Sequence, residues 1–486
     1  MERLADSRCE QVFRWFAELN RIPRGSGDER AASDWLVGFA KERGLDVIQD
    51  EACNVIISKP GTAGYEQAPT VILQAHMDMV CEKEATCLHD FSRDPIEVLI
   101  DGDSAHADGT TLGADNGVGV SYGLAILDAA DIAHPPIEFL VTTSEETGMG
   151  GAFALEASNL TGRRLINIDA EEEGKLLVSC AGGASVTLRL PVEWEDPTEG
   201  RRAFHLVVGG LQGGHSGIEI DKQRGSANKI LGRVLLDLSD ELDLQLYALN
   251  GGTKHNAIPR EAQVGLAIRP QEVGALQDRL GRWGAVLGNE LRGVDPGVQL
   301  LLEAVDGLPA RVFSADTARK AVRVLCLIPA GVINMSMDIP GLVQTSNNLG
   351  VVRTEQDEIT FESAIRSSVR SLKEEVATQV GLIAEMVGAT VAQSSDYPEW
   401  QYDPASELRE VFAGTYEEMY GRKPEISAIH AGLECGLFSE KLGGEVDLIS
   451  FGPNIFDVHT PKESFSISSV ERTYDYLRRV LAKLDR

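Results

Sequence analysis

Positive charge is scarce in this chain. Lysine and arginine number 45 against 75 aspartates and glutamates, a formal net charge of -30. Such acidity repels nucleic acid and anionic membrane, so neither is an expected partner. Cysteine is also sparse, with Cys9, Cys53, Cys81, Cys87, Cys180, Cys326 and Cys435. An odd count without a Cys-x-x-Cys pair argues against a disulfide framework and a thiolate zinc site. Any metal must then be held by histidine and carboxylates. No apolar run approaches the roughly 20 residues of a membrane span. The first residues, "MERLADSRCE", lack the basic start and apolar stretch of a secretion signal. A soluble cytoplasmic protein is the expectation. What remains is ordinary globular composition, 43% hydrophobic and 25% charged, over 486 residues. That length suits two or three domains.

Helical and strand patterns alternate at the start. Val12, Phe13, Trp15, Phe16 and Leu19 recur at helical spacing, as do Trp35, Leu36, Phe39 and Ala40. "TVILQAH" (70–76) is a continuous apolar run, as in a strand buried on both faces. "IEFLVTT" (137–143) and "RLINID" (164–169) are further strands, and 113–130 is a loop leading into a helix. "ALEASN" reads as a short helix. The alternation predicts an α/β fold with a central, mostly parallel sheet. The middle of the chain differs. Strand-like runs such as "RAFHLVVGG" and "EAQVGLAIRP" are interleaved with helices near 222–238, 271–292, 314–327 and 370–387. This is the pattern of an inserted α+β domain that could hold two paired halves, with no sequence repeat visible. Polar "QSSDYPEWQYDPAS" (393–406) reads as a return linker, and the end resembles the beginning. The expected organisation is a discontinuous α/β domain, 1–186 and 396–486, interrupted by a second domain at 187–395.

In parallel α/β sheets, ligands collect beyond the carboxyl ends of the strands. His76 and Asp78 follow "VILQA"; Glu145 and Glu146 follow "IEFLVTTS"; Asp169 follows "LINI". His459 follows "EVDLISF" and a short loop, and Asp115 sits where a helix begins. Singly, each has an ordinary explanation. His76 can be a structural histidine, Asp115 an N-cap, Asp169 a turn residue and His459 a loop histidine. The acidic run Glu171 to Glu173 reads as a solvated face. The adjacent pair Glu145–Glu146 is harder to dismiss. Two carboxylates at the mouth of a buried strand suffer desolvation and mutual repulsion unless a cation compensates. Together the set offers only nitrogen and oxygen ligands, which suit zinc, manganese or cobalt. Two histidines and several acids can hold two ions that share a carboxylate, and such a pair can clamp a hydroxide and polarise a carbonyl.

The motifs "QAHMDMV", "GADNGVG", "TTSEETGMGGA", "NIDAEEEG" and "VHTPKE" resemble the co-catalytic metallopeptidase family that includes aminoacylase, carnosinase and glutamate carboxypeptidase. "GGHSG", "KHNAIPRE" and "HAGLECG" extend the resemblance along essentially the whole chain. It implies that His76 and Asp169 bind one ion, Glu146 and His459 the other, and that Asp115 bridges both. Asp78 would orient the His76 ring, and Glu145 would be the general base. Which glutamate is base and which is ligand comes from the resemblance alone. The inserted domain would be a lid. In it, His215 would stabilise the oxyanion, Asn256 and Arg366 would hold substrate polar groups, and Gly432 would allow close backbone approach. Arg366 suits a C-terminal carboxylate, because its fork binds both oxygens.

The family members most like this chain lead us to expect a cytoplasmic dipeptidase carrying two divalent ions per subunit, most simply zinc, with manganese or cobalt also fitting. Its substrates would be unblocked dipeptides, preferably Xaa-His and carnosine-like ones, cleaved by a metal-bridging hydroxide with Glu145 as base. A homodimer is expected, and whether His215 serves its own or a partner subunit's site is open. The alternatives are a tripeptidase or an N-acyl amino acid deacylase of the same family and, in another class, a metal-binding protein without catalysis.

Overall fold

A mostly apolar run suits a strand covered on both faces, and the first unit is built around such strands. The computed structural model describes residues 9–485; residues 1–8, part of the segment read above for a secretion signal, lie outside them. The chain divides into two units. One holds the residues up to Ser179, Trp400–Ala428 and those from Leu433 on; the other holds Cys180–Glu399 and Ile429–Gly432. No helix among the described residues is long and apolar enough to cross a membrane, and no disulfide joins the cysteines.

The sheet of the first unit comprises β1 (Asp46–Gln49), β2 (Val55–Lys59), β3 (Val71–His76), β4 (Ile137–Thr142), β5 (Arg164–Asn167), β6 (Lys175–Cys180), β7 (Glu425–Ile429) and β8 (Asp447–Ser450). Its order is β1-β2-β4-β3-β5-β8-β6-β7. The central strands β4, β3, β5 and β8 run parallel, and β3 and β4 are buried at every residue. The α/β class and the parallel centre are therefore as expected. Helix α1 (Glu10–Leu19) packs on α2 (Ala114–Asp128). Both cover the sheet through one core that includes Phe13, Leu19, Leu73, Val120, Phe139 and Ile166. "ALEASN" is not one helix: Gly150–Ala154 is helical, and a single 3-10 turn follows at Ala157–Asn159.

The second unit is an antiparallel sheet with helices. Strands 299–305, 202–209, 262–268 and 245–251 form one half. Strands 343–354, 358–367, 182–191 and 390–397 form the other, and the halves join through the pairs Asn250–Arg353 and Gly251–Val352. One apolar core, with Leu206, Leu231, Val264, Leu325 and Phe361, serves both halves. The reading of 393–406 as a linker is corrected here. Thr390–Tyr397 is a strand, pairing with 182–191 at the edge of the sheet. Its exposed, polar residues carry no alternation, because an edge strand with neither face buried has nothing apolar to show.

Helix α2 lies so close to β4 that only glycine fits at one contact. A Cβ at Gly123 would stand 2.2 Å from Phe139 Cζ. Gly123→Ala should therefore cost about 1–3 kcal/mol by overpacking and lower the thermal midpoint. Gly414→Ala, where a Cβ meets open space in helix Glu407–Tyr420, should leave the midpoint unchanged or raise it. Equal midpoints for the two variants in a melting experiment would contradict the contact.

Candidate metal centre

Three neighbouring parallel strands end side by side, which brings distant parts of the sequence together. His76 is the last residue of β3 and pairs in register with Thr142 of β4. Past Thr142 the chain turns through Ser144, at φ 52°, and presents Glu145 and Glu146. Asp169 lies two residues beyond β5. Asp115 lies in the first turn of α2, where its φ and ψ of -81° and 110° break the helical geometry. His459 comes from the loop after β8, at φ 61°.

Asp115 presents one oxygen to each of two groups. His76 Nε2 lies 3.1 Å from Asp115 Oδ1 and 3.3 Å from Asp169 Oδ1. His459 Nε2 lies 3.2 Å from Asp115 Oδ2 and 2.9 Å from Glu146 Oε2. Ligand atoms on one tetrahedral ion, each about 2.0–2.1 Å from it, stand roughly 3.3 Å apart. Both groups have about that spacing. Glu146 Oε1 is buried with no hydrogen-bond partner among the described residues, as suits an oxygen that would face a cation. His76, Asp115 and Glu146 each offer a donor atom within 4.8 Å of the others. The residues present fit two cations sharing a carboxylate.

Asp78 ties these pieces together. His76 Nδ1 donates to the Asp78 carbonyl at 3.1 Å, with Asp78 Oδ1 at 3.4 Å. That leaves Nε2 to face the acids and fixes which ring nitrogen is free. The Asp78 carboxylate also accepts the amides of Glu145 (3.0 Å) and Glu146 (3.2 Å) and the Ser26 hydroxyl (2.8 Å). The two glutamates thus share one anchor and diverge beyond it. Glu146 reaches His459, whereas the Glu145 carboxyl makes no hydrogen bond among the described residues.

The acids and the burial of the site shift its titrating groups. Hydrogen bonds to Asp115 and Glu146 raise the His459 pKa to about 10. Burial works against a charged His76, but Asp169, Asp115 and Asp78 outweigh it and hold the ring well above its ordinary value. Burial pushes the Glu145 carboxyl up to about 9; His76 opposes this, while Asp169, Glu434 and Glu146 add to it.

Two further acids belong to this neighbourhood. Glu434 is buried; its Oε2 accepts from Gln74 Nε2 at 2.6 Å and from the Thr142 hydroxyl at 2.9 Å. Burial pushes it up to about 8. Its place in "HAGLECG" gave no hint of this, because its partners are 292 and 360 residues away. Glu171 corrects the reading of 171–173 as a solvated face. It is half-buried, and burial, then Asp115 and Asp169, push it up to about 7. Glu173 is paired with Arg472 at 2.7 Å.

The second unit gathers the other candidates. His215 pairs with Ala257 in a two-residue ladder, beside Asn256, whose carbonyl accepts from the Ser216 amide at 2.9 Å. His215 and Asn256 line a cavity of about 1000 Å³. His215 Nδ1 accepts from the amides of Gly217 and Ile218, so the neutral ring carries its proton on Nε2. Burial, followed by the charge of Arg366, lowers its pKa. The vacant Cβ position of Gly217 is 3.0 Å from His215 Cε1 and 3.1 Å from Arg366 Nε, so the two side chains flank it. Arg366 donates to the Tyr397 hydroxyl at 2.8 Å, and its Nε is buried without a partner. No carboxylate pairs with it among the described residues. A Cβ at Gly432 would lie 2.8 Å from the Tyr397 ring, so this glycine makes room for the tyrosine that holds Arg366.

The model of peptidase family M20/M25/M40 matches residues 72–483. The chain belongs to this family. The cytosol non-specific dipeptidase of Escherichia coli (strain K12) is 40% identical to it over 484 residues, 100% of this chain and 99% of that one. The crystal structure of aminoacylhistidine dipeptidase from Vibrio alginolyticus matches with a TM-score of 0.95 at 39% identity, covering 99% of this chain and 98% of that one. Aminopeptidase PepT from Bacillus cereus, at a TM-score of 0.58 and 16% identity over 99% of each chain, shares the fold.

In this M20/M25/M40 peptidase the surrounding acids raise the pKa of both histidines, and a histidine must lose its proton to bind metal. Metal loading at pH 7 should therefore release protons, and affinity should rise with pH. Calorimetric titration in buffers of differing ionisation enthalpy measures this directly. No net proton release would contradict the geometry.

Proposed function

We infer that this chain is a metal-dependent dipeptidase that hydrolyses unblocked dipeptides, with a preference for a C-terminal histidine. The observation that carries the reading is the single carboxylate of Asp115 facing two His–acid groups. His76 and Asp169 would hold one divalent ion, His459 and Glu146 the other, with zinc favoured and manganese or cobalt also suited to the donors. When bound, such a pair polarises a carbonyl and acidifies water.

The protein groups divide the remaining work. The Glu145 carboxyl is half-buried beside other acids and makes no hydrogen bond among the described residues. The charge of bound cations would favour its ionised form, in which it could take a proton and return it to the leaving amine, whereas a ligating carboxylate would lack the free lone pair. Asp78 fixes the His76 ring and the amides of both glutamates. His215, neutral with Nε2–H available, can donate to the oxyanion. Arg366, a cation without a carboxylate, suits the C-terminal carboxylate of a dipeptide, with Asn256 and the backbone at Gly432 as further contacts. His215 and Arg366 flank one glycine of the same chain, which favours their serving the same subunit. A homodimer in the cytoplasm completes the proposal. The names of the Escherichia coli and Vibrio alginolyticus relatives support dipeptides over tripeptides or N-acyl amino acids as substrates. A panel of Xaa-His dipeptides, tripeptides and N-acetyl amino acids, assayed on the metal-loaded protein, separates these readings; zero turnover on all three would leave only a metal-binding role.

Glu145→Gln should keep its metal and lose about 10²–10⁴-fold in kcat, while Glu146→Gln should lose metal. Metal analysis beside steady-state kinetics tests the pair, and a Glu145→Gln enzyme of ordinary rate overturns the role of the base. Arg366→Met should lower kcat/KM by about 10–100-fold, the worth of a charged hydrogen bond, without changing metal content.

A further inference from the structure

Two buried charges in the first unit have no part in the chemistry above. Glu463, four residues after His459, is 2% exposed, and Arg24 is 1% exposed. The first amides of a helix lack partners within it. At the start of α2 the N-cap residue is Gly113, which has no side chain to offer. Glu463 supplies what is missing. Its Oε2 accepts from the amides of Leu112 (2.8 Å) and Gly113 (3.0 Å), and its Oε1 from those of Ala114 (2.7 Å) and Asp115 (3.2 Å). Burial raises the Glu463 pKa, and these backbone hydrogen bonds work against that rise; four donors aimed at both oxygens are what a buried carboxylate needs.

Arg24 gathers the other side. Its Nη1 donates to the carbonyls of Met77 (2.9 Å) and Asp78 (3.3 Å), and its Nη2 to Gly113 O (2.7 Å) and Asn20 Oδ1 (3.0 Å). No carboxylate lies within ion-pair distance of it among the described residues. The glycines of "GADNGVG" leave room for it: a Cβ at Gly113 would stand 2.3 Å from Nη2, and one at Gly117 2.8 Å. Arg24 thus links the residues after His76 to the segment that carries Asp115. Glu463 links that same segment to the one that carries His459.

We propose that Arg24 and Glu463 are positioning residues that clamp the Asp115 segment between the His76 and His459 sides of the centre before any ion arrives. The proposal rests on the metal-centre reading. It makes the amides of 112–115 protected in the metal-free protein. It also makes a weakened clamp a loss of metal affinity that excess metal can repair. Damage to the fold at large would not be repaired in that way.

The test uses the full chain with zinc. Hydrogen–deuterium exchange on the metal-free wild type should show slow exchange at 112–115. Competition with a chromophoric chelator should show zinc bound about 10–100-fold more weakly by Glu463→Gln, the usual effect of losing such a partner. Activity lost at limiting zinc should return in excess. Arg24→Lys, which keeps the charge but loses the fork, should move in the same direction. Wild-type zinc affinity in Glu463→Gln, or unprotected 112–115 amides in the metal-free wild type, overturns the proposal. If Glu463→Gln does not fold, the exchange measurement on the wild type decides. A wild type that binds no zinc would overturn the metal-centre reading instead, and the exchange data would still judge the clamp.

Discussion

Everything at the candidate centre depends on one carboxylate facing two ways. Asp115 Oδ1 belongs with His76 and Asp169, and Oδ2 with His459 and Glu146. Gathering three carboxylates around two imidazoles, with nitrogen–oxygen distances of 2.9 to 3.3 Å, is unfavourable unless positive charge is supplied. The raised pKa values of both histidines are the same demand met by protons. Burial works against the ionisation of Asp115, yet His459 and His76 hold its carboxyl well below the usual range. The carboxylate that faces both groups thus stays charged.

The backbone makes this arrangement possible. Strands β3, β4 and β5 run parallel and adjacent, so residues following them emerge at one edge. The Glu145–Glu146 pair then separates, although its members are neighbours in sequence. Asp78 holds both amides, and the chain turns away through Gly148 at φ 116°. At Gly151 a Cβ would stand 2.3 Å from Asn54 Oδ1 and 2.6 Å from the Thr143 backbone, so the segment is packed tightly under the strand end.

Much of this was legible in the sequence because the ligand candidates obey a positional rule. His76 ends a buried strand, and Glu146, Asp169 and His459 each come after one; a run such as "TVILQAH" announces such a strand by its mostly apolar content. Asp115 was legible as the polar residue opening a helix, but not as one whose helix is capped by another segment. Arg24, Glu434 and Glu463 were invisible for a common reason. Each has most of its partners far along the chain, and no local pattern records such a partner. Glu171 was misread because an acidic run looks the same whether its first member faces solvent or a cluster of acids. The edge strand 390–397 was misread because it buries neither face. The pairing of the two halves of the second unit leaves no sequence repeat, since it is made by backbone hydrogen bonds between strands of unlike sequence.

The central claim is that Asp115 serves two ions at once. Anomalous diffraction from crystals of the protein loaded with zinc tests it most directly. The account predicts two peaks about 3.5–4 Å apart, one beside His76 and Asp169, the other beside His459 and Glu146, with an Asp115 oxygen on each. A single peak, or two that do not share Asp115, would contradict it.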